Sequence, residues 1–310
     1  MNKNDKIFVA GHTGLIGTAL VARLKAEGYD NIITRASSEL DLTDQALVEK
    51  FFLAERPAYV FLLAAKVGGI TANREKPAGF IYPNLMIECN VLNSAWKVDV
   101  KKLFYLSCSI IYPKECEQPM KEEYLLTGKP EPTSMAHTIA KIAGTVLCQS
   151  YNKQYNTNFI CGVAANVYGT NDDFDPANGH VIPGLLTKMH NAKVNNEPSI
   201  TAWGTGKPER DFVYVDDVAD ACIFLMNNYM SSEIINIGSG TGVSIGELSN
   251  LICEVVGYKG KIVWDTTKPD GAMKKMLDST KLNSLGWQPK TVLRQGLEKT
   301  YRWWREIYLK

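Results

Sequence analysis

Residues 6–20 read KIFVAGHTGLIGTAL, and this stretch decides the fold class of the chain. A short apolar run precedes Gly11, Gly14 and Gly17, and the residues after the turn favour a helix. A strand that turns through glycines into a helix brings free backbone amides and the positive end of the helix dipole to one point. A glycine triplet also fits an ordinary structural turn, but its place between strand and helix favours dinucleotide binding.

The alternation of strand and helix continues through the first half of the chain. Strands separated by helices predict a parallel sheet with right-handed crossovers, and their apolar sequences suit burial on both faces. Beyond residue 169, Gly, Pro, Asn and Asp-rich connections such as GTNDDFDPANGHVIP indicate a ligand-binding lobe, with no sharp boundary. The predicted strands are KIFVAG, NIIT, YVFLLAA, KLFYLSC and FICGVAAN, and the predicted helices lie near 15–27, 43–55, 79–97 and 135–155.

Composition narrows the class of partner. In 310 residues, 34 Lys and Arg nearly balance 33 Asp and Glu, which argues against nucleic acid or an anionic membrane surface and favours a small molecule. Seven Cys are scattered without the paired spacing of a metal site, and no apolar run is long enough to span a bilayer. With no signal-peptide pattern at the start, we expect a cytoplasmic protein.

The end of the second predicted strand bears on the choice of cofactor. In IITRASSELDL, an NAD enzyme would usually carry an acid that holds the ribose hydroxyls, but Arg35 stands there. A cation beside Ser37 and Ser38 can bind a 2′-phosphate, so NADP is favoured over NAD; otherwise Arg35 is a solvated surface charge. Asp41 and Leu42 are expected near the adenine.

Motifs along nearly the whole chain are similar to one family. In order, they are the glycine turn, LLAAKVGGI, FIYPNLMIECNVL, SCSIIYPKE, AHTIAKIAG, ANVYG, NGHVIP, WGTGKPERDFVYVDD and KPDGAMKK. The chain resembles the extended short-chain dehydrogenase/reductases and, among them, the GDP-L-fucose synthases, which are NADPH-dependent GDP-4-keto-6-deoxymannose 3,5-epimerase/4-reductases. The resemblance implies an α/β fold with a Rossmann-type doubly wound parallel sheet. Residues 1–169 would be the NADP-binding domain and 170–310 a smaller nucleotide-sugar lobe, with 212–238 returning to the sheet.

The family's catalytic positions are where this sequence departs from the pattern. A Ser or Thr that binds the substrate carbonyl is replaced by Cys108, which is followed by Ser109. The Cys that serves the family's epimerase is replaced by Ile110. If 108 and 110 share a strand face, Cys108 has some prospect of reaching the same sugar carbon; a thiol at an apolar strand end is otherwise a core residue.

The catalytic Tyr of the family is replaced by His137, while Lys141 is kept four residues later on the same helical face. The Tyr gives a proton to the alkoxide that forms on hydride transfer. An imidazolium can do the same, but the nearby ammonium disfavours a second positive charge, so much of His137 is expected to be neutral. A neutral ring can still donate a hydrogen bond, with a water or another acid finishing the transfer. The alternative is an inert ring in a dead site.

Three further histidines complete the set. His180 matches the family's second epimerase acid/base, and without the partner Cys it is expected to protonate the 4-oxygen or to hold the sugar or cofactor. His12 is predicted to lie in the phosphate loop and His190 on the surface.

The resemblance also implies binding residues. Lys188, Trp203, Arg210 and Asp270 stand where the family binds the GDP-sugar; a cation suits a diphosphate and an indole offers a flat face to a ring. Singly, each is as readily a surface charge or a core aromatic. The residues expected at the cofactor are Gly11, Thr13, Gly14, Leu15, Ile16, Gly17, Arg35, Asp41, Leu42, Ala64, Ala65, Lys141, Asn166, Val167 and His180.

Three functions follow from these observations. The favoured one is an NADPH-dependent 4-keto reductase acting on a GDP-4-keto sugar of 6-deoxyhexose or heptose type, with epimerisation weak or lost. The second is a bifunctional epimerase/reductase that uses Cys108 or His137 as the missing base. The third is a catalytically inactive cofactor-binding subunit. The helices near 79–97 and 135–155 resemble those that form a four-helix homodimer interface in the superfamily.

Overall fold

The computed structural model describes residues 1–175, 180–268 and 270–308. Asn178 and Gly179 of the NGHVIP motif and Pro269 of the KPDGAMKK motif lie outside these ranges. The strands of the described chain are β1 (Ile7–Ala10), β2 (Ile32–Ile33), β3 (Tyr59–Leu62), β4 (Lys102–Cys108), β5 (Phe159–Ala164), β6 (Asn166–Tyr168), β7 (Ser199–Trp203), β8 (Glu209–Tyr214), β9 (Ile235–Ile237), β10 (Gly242–Ser244), β11 (Lys261–Asp265) and β12 (Lys274–Lys275).

The helices alternate with the strands in the first half and cluster in the second. They are α1 (Leu15–Ala26), α2 (Gln45–Glu55), α3 (Ile70–Glu75), α4 (Ala78–Lys97), α5 (Met135–Tyr155), α6 (Val181–Val194), α7 (Val215–Asn228), α8 (Ile245–Val256), α9 (Thr280–Ser284) and α10 (Leu293–Tyr308). In the part of the chain that is described, no helix is long and apolar enough to cross a bilayer.

The main sheet has six parallel strands in the order β2-β1-β3-β4-β5-β9. Helix α1 packs with α7, whereas α4 packs with α2 and α5, so the sheet carries two separate helical layers. Its strands are almost wholly buried, as apolar parallel strands must be when both faces are covered. The predicted α/β, doubly wound, Rossmann-type fold is confirmed.

The chain leaves this sheet after β5 and returns to it later. Strand β8 pairs with β6, β10 and β12 in a smaller sheet. Helix α7 then packs on α1, and β9 becomes the sixth strand of the main sheet beside β5. The carboxyl ends of β1, β4 and β5 therefore share one edge of the sheet, where ligands bind in open α/β folds.

A second apolar cluster is built from α6, α8 and α10 with strands β7 and β8. His190 of α6 lies inside this cluster, so the prediction that it is a surface residue is wrong. Its Nδ1 is 2.8 Å from the Tyr301 hydroxyl, and its ring meets Trp304 edge to face. Burial, ahead of nearby cations, lowers the pKa of His190. A hydroxyl on α10 satisfies the ring, which sequence spacing alone does not reveal.

Candidate active site

The glycine turn between β1 and α1 is shaped by backbone approach. Gly11 has a φ of +91°, and a Cβ added there would lie 2.7 Å from the Ala64 nitrogen. A Cβ on Gly17 would lie 2.0 Å from the Gly11 carbonyl oxygen. Gly14 closes the turn with a 3.2 Å hydrogen bond to that oxygen. Neither Gly11 nor Gly17 can be replaced without moving the turn.

Free amides follow this turn. Residues Leu15, Ile16 and Gly17 form the first turn of α1, whose N–H groups have no intrahelical acceptor, and no acid stands among them. Thr13 is exposed at the tip, and His12 lies within the turn, as predicted. The free amides and the positive end of the helix dipole fit a pyrophosphate.

Arg35 lies two residues after β2 with part of its guanidinium already engaged. Nη2 is 3.0 Å from Glu55 Oε1, Nη1 donates to the Thr34 carbonyl, and the group lies over the Phe51 ring at 5.7 Å. These contacts hold the side chain beside the predicted adenosine end of the cleft. If Arg35 binds a 2′-phosphate as predicted, it must do so with the guanidinium N–H groups that these contacts leave free.

Other residues expected at the cofactor flank the strand ends. Ala64 and Ala65 follow β3, next to Gly11. The Leu42 carbonyl accepts a hydrogen bond from the buried Asn90 side chain. The exposed Asp41 carboxylate accepts one from the Thr43 backbone N–H, which lowers the pKa of Asp41. Two more residues expected at the cofactor lie in β6, which pairs with β8; they are Asn166 and Val167.

Lys141 lies in α5 and is 4 % exposed. Its Nζ donates to the Leu106 carbonyl at 3.1 Å and lies 3.4 Å from Glu88 Oε1. Tyr105 of β4 donates to the same carboxylate oxygen at 2.6 Å. Burial raises the pKa of Glu88, and Lys141 and Tyr105 work against that rise. A buried ammonium is therefore fixed at the carboxyl end of β4 by one acid and one carbonyl.

His137 is the third residue of α5 and is 7 % exposed. Its Nδ1 is 3.1 Å from Asn84 Nδ2, and its ring meets the edge of Phe80. Burial, followed by the Lys141 charge, lowers the pKa of His137 to about 4. The ring is therefore neutral at physiological pH. The charge of Lys141 lowers the pKa as predicted, but burial has the larger effect.

The segment after β4 departs from the expected strand geometry. Strand β4 ends at Cys108, and Ser109–Ile111 form a 3-10 turn. Cys108 and Ile110 therefore do not share a strand face, and that expectation is wrong. Burial raises the pKa of the Cys108 thiol despite the opposing charges of Lys141 and Lys275. A thiol that keeps its proton is a poor base. Ser109 is buried in the turn beside it.

His180 occupies the N-cap position of α6, and its side chain is more exposed than that of His137. Its Nδ1 lies 3.2 Å from Oδ1 of Asp172, a carboxylate that is 5 % exposed. This hydrogen bond raises the pKa of His180 above its ordinary value, although burial works against it. The pairing resembles the carboxylate that orients a general acid/base histidine.

The four residues predicted to bind the sugar nucleotide lie around one loop. Trp203 ends β7 and is 70 % exposed, while Asp270 accepts hydrogen bonds from Thr205 two residues later. Arg210 of β8 donates to the Ala272 carbonyl at 2.6 Å. Lys188 of α6 reaches the Thr201 carbonyl on β7 at 2.7 Å. The structure thus brings all four to neighbouring positions.

Several polar residues beside the predicted ones escaped sequence reasoning. Asn84 and Glu88 are buried one turn apart on α4, and Asp172 and Tyr105 support His180 and Lys141. The fifth, Lys275, pairs in register with Arg210, and burial lowers its pKa. An available signal was the pair of polar residues within the apolar helix sequence FIYPNLMIECNVL.

Comparison with known proteins places this geometry in a family. The family model described as "NAD dependent epimerase/dehydratase family" matches residues 7–238. The putative GDP-L-fucose synthase 2 of Arabidopsis thaliana is 53% identical over 306 residues, covering 99% of this chain and 93% of that protein.

Solved structures agree with this assignment. A GDP-6-OMe-4-keto-L-xylo-heptose reductase from C. jejuni superposes with a TM-score of 0.93 at 38% identity, covering 99% of both chains. A GDP-mannoheptose C4 reductase from Campylobacter jejuni, solved with NADP bound, gives a TM-score of 0.91 at 40% identity, covering 98% of this chain and 99% of that chain. The chain therefore belongs to the NAD dependent epimerase/dehydratase family.

Proposed function

We propose that the chain is an NADP-dependent oxidoreductase that reduces the 4-keto group of a GDP-linked sugar of 6-deoxyhexose or heptose type. The observation that carries this proposal is Lys141, a buried ammonium held by Glu88 and by the Leu106 carbonyl four residues after a neutral ring. The reductase and synthase names of its relatives support the substrate class.

The cofactor is NADP(H), held in the first unit, residues 1–169. The first amides of α1, next to Gly11 and Gly17, would hold the pyrophosphate, and Arg35 would hold the 2′-phosphate. When bound, NADPH supplies the hydride. Lys141 binds the nicotinamide ribose, and its ion pair with Glu88 keeps the ammonium from drifting out of the cleft.

Two histidines divide the work on the 4-oxygen. His137, neutral with a pKa of about 4, donates a hydrogen bond to the oxygen and stabilises the charge that develops there. It keeps its own proton, because a neutral imidazole is a far weaker acid than imidazolium. His180, whose pKa is raised by Asp172, is the acid that delivers the proton.

Epimerisation at carbons 3 and 5 needs proton removal and redelivery. Ile110 has no ionisable group, and burial keeps the Cys108 thiol protonated. These two positions support a reductase that has lost most epimerase activity. The second candidate, a bifunctional 3,5-epimerase/4-reductase, is favoured by the identity of 53% to a putative GDP-L-fucose synthase. It would require His180 to act alone or with another base.

The nucleotide-sugar is held by the unit formed by residues 170–310. Trp203 offers its exposed face to a ring, and Arg210 and Lys188 offer charge to the diphosphate. Asp270 fixes the turn at Thr205 that presents the indole, and its remaining acceptor capacity suits a sugar hydroxyl.

A second copy of the chain packs against α4 and α5 in this proposal. These two helices lie side by side and leave apolar side chains exposed, among them Tyr82, Ile139, Val146 and Tyr155. An Ile139→Glu variant should shift the protein to monomer in sedimentation velocity at micromolar concentration. A wild-type protein that is monomeric under those conditions would exclude the dimer.

A single assay tests the proposed function. GDP-4-keto sugars are incubated with NADPH and protein in deuterated water, and the products are followed by proton NMR. We expect one NADPH oxidised per sugar reduced, with no deuterium at carbons 3 and 5 beyond that of a protein-free control. Rapid enzyme-dependent exchange at those carbons would favour the bifunctional enzyme, and tight NADPH binding without turnover would contradict both.

A further inference from the structure

Asn84 of α4 has an orientation that the neighbouring backbone dictates. Asn84 is 1 % exposed, and its side chain bonds both backbone polar groups of Lys66: Oδ1 accepts from the Lys66 N–H at 2.7 Å, and Nδ2 donates to the Lys66 carbonyl at 2.9 Å. A backbone N–H can only donate and a carbonyl can only accept. The amide therefore cannot be flipped, and its nitrogen must face His137.

The second hydrogen of Asn84 Nδ2 settles the tautomer of His137. Nδ2 lies 3.1 Å from His137 Nδ1, and an amide NH₂ group has no acceptor capacity. Nδ1 must therefore accept the hydrogen bond with its lone pair. In a neutral ring, the proton then resides on Nε2. Within the described ranges, no residue bonds Nε2, so its N–H is available to a ligand.

The other groups around the ring reinforce this state. Helix α4 contributes Asn84 and the edge of Phe80, and the segment before α3 contributes Lys66 through its backbone. The charge that acts on the ring from its own helix is that of Lys141, and Glu88 of α4 is paired with that ammonium. An imidazolium would set its Nδ1–H against the N–H of Asn84, because both groups would then be donors.

We propose that Asn84 is a positioning residue that fixes His137 in the Nε2–H tautomer and thereby makes it a hydrogen-bond donor that does not titrate with the reaction. This inference rests on the proposed function for its catalytic meaning. Its structural content, the tautomer, does not depend on turnover. A neutral imidazole held in this way can polarise a carbonyl as an electrophile while it keeps its own proton.

Nitrogen-15 NMR of protein labelled at histidine measures the tautomer directly. The His137 signals are assigned by their loss in His137→Gln. We expect a neutral ring with the proton on Nε2 throughout the range between about pH 5 and 8. A proton on Nδ1, or an imidazolium at neutral pH, in the wild-type spectrum overturns the inference without any further variant.

A charge change at Asn84 provides the second test. In Asn84→Asp, a carboxylate can accept from Nδ1–H, so the proton should move to Nδ1 and the pKa of His137 should rise above its ordinary value of about 6.5. Asn90→Asp is the matched control, since Asn90 is also buried on α4 but bonds the Leu42 carbonyl instead. An unchanged His137 spectrum in folded Asn84→Asp contradicts the inference. If the spectra are as expected but the protein reduces no keto sugar, the proposed function is contradicted and the inferred tautomer is not.

Discussion

The two histidines proposed for catalysis both lie at the N-terminal end of a helix, but their pKa values shift in opposite directions. His137 lies in the first turn of α5, and His180 caps α6, so both lie at a helix end that disfavours positive charge. Burial, followed by the charge of Lys141, lowers the pKa of His137 to about 4, whereas the hydrogen bond to the Asp172 carboxylate raises the pKa of His180. The surroundings of each ring, rather than the helix end, therefore decide which of the two carries the proton.

The largest expected effect is that of removing the acid. His180→Asn eliminates the imidazolium, and a positioned acid contributes on the order of 10²–10⁴ in rate. We therefore expect kcat for keto reduction, measured at saturating NADPH, to fall by about that factor. A variant with nearly full kcat would show that the proton comes from elsewhere.

Next comes the loss of the neutral donor. His137→Phe removes the Nε2–H group, and loss of one preorganised donor costs about 10²–10³ in kcat. His137→Gln keeps an N–H donor that does not titrate, so it should recover most of the lost rate. Steady-state kinetics with saturating NADPH provides the comparison. Equal defects in the two variants would contradict a hydrogen-bonding role.

A smaller effect is expected behind His180. Asp172→Asn replaces the carboxylate acceptor that most raises the pKa of His180 with a neutral amide, so this pKa should fall and less imidazolium should remain at a pH of about 7.5. The rate should fall at this pH and recover as the pH is lowered. Asp173→Asn is the control, because Asp173 acts on His180 only through its charge. A pH-independent loss in Asp172→Asn would point to a structural defect.

The smallest effect is expected at Cys108. Burial keeps this thiol protonated, so Cys108→Ala removes no base and should change kcat by about twofold or less, far below the 10²–10⁴ of a positioned acid or base. Cys116→Ala, another partly buried thiol whose pKa burial raises, is the matched control. Loss of deuterium exchange at the sugar in Cys108→Ala alone would instead support the bifunctional enzyme.

The sequence was sufficient to predict those features of the fold that depend on backbone geometry. Glycine spacing and apolar period specified the turn at Gly11 and the parallel sheet, because backbone sterics and the burial of strands leave few alternatives. It could not predict that the chain turns after Cys108, since three residues of 3-10 helix have no distinct period. It also missed Asn84 and Asp172, because their influence on His137 and His180 arises between elements distant in the chain.

The pH dependence of kcat/KM for keto reduction tests most directly whether His180 is the acid and His137 a neutral hydrogen-bond donor. Wild-type activity should fall as the pH rises through the raised pKa of His180, because the acid form is lost. This limb should persist in His137→Gln and disappear from the residual activity of His180→Asn. A limb that disappears in His137→Gln and persists in His180→Asn would contradict the account.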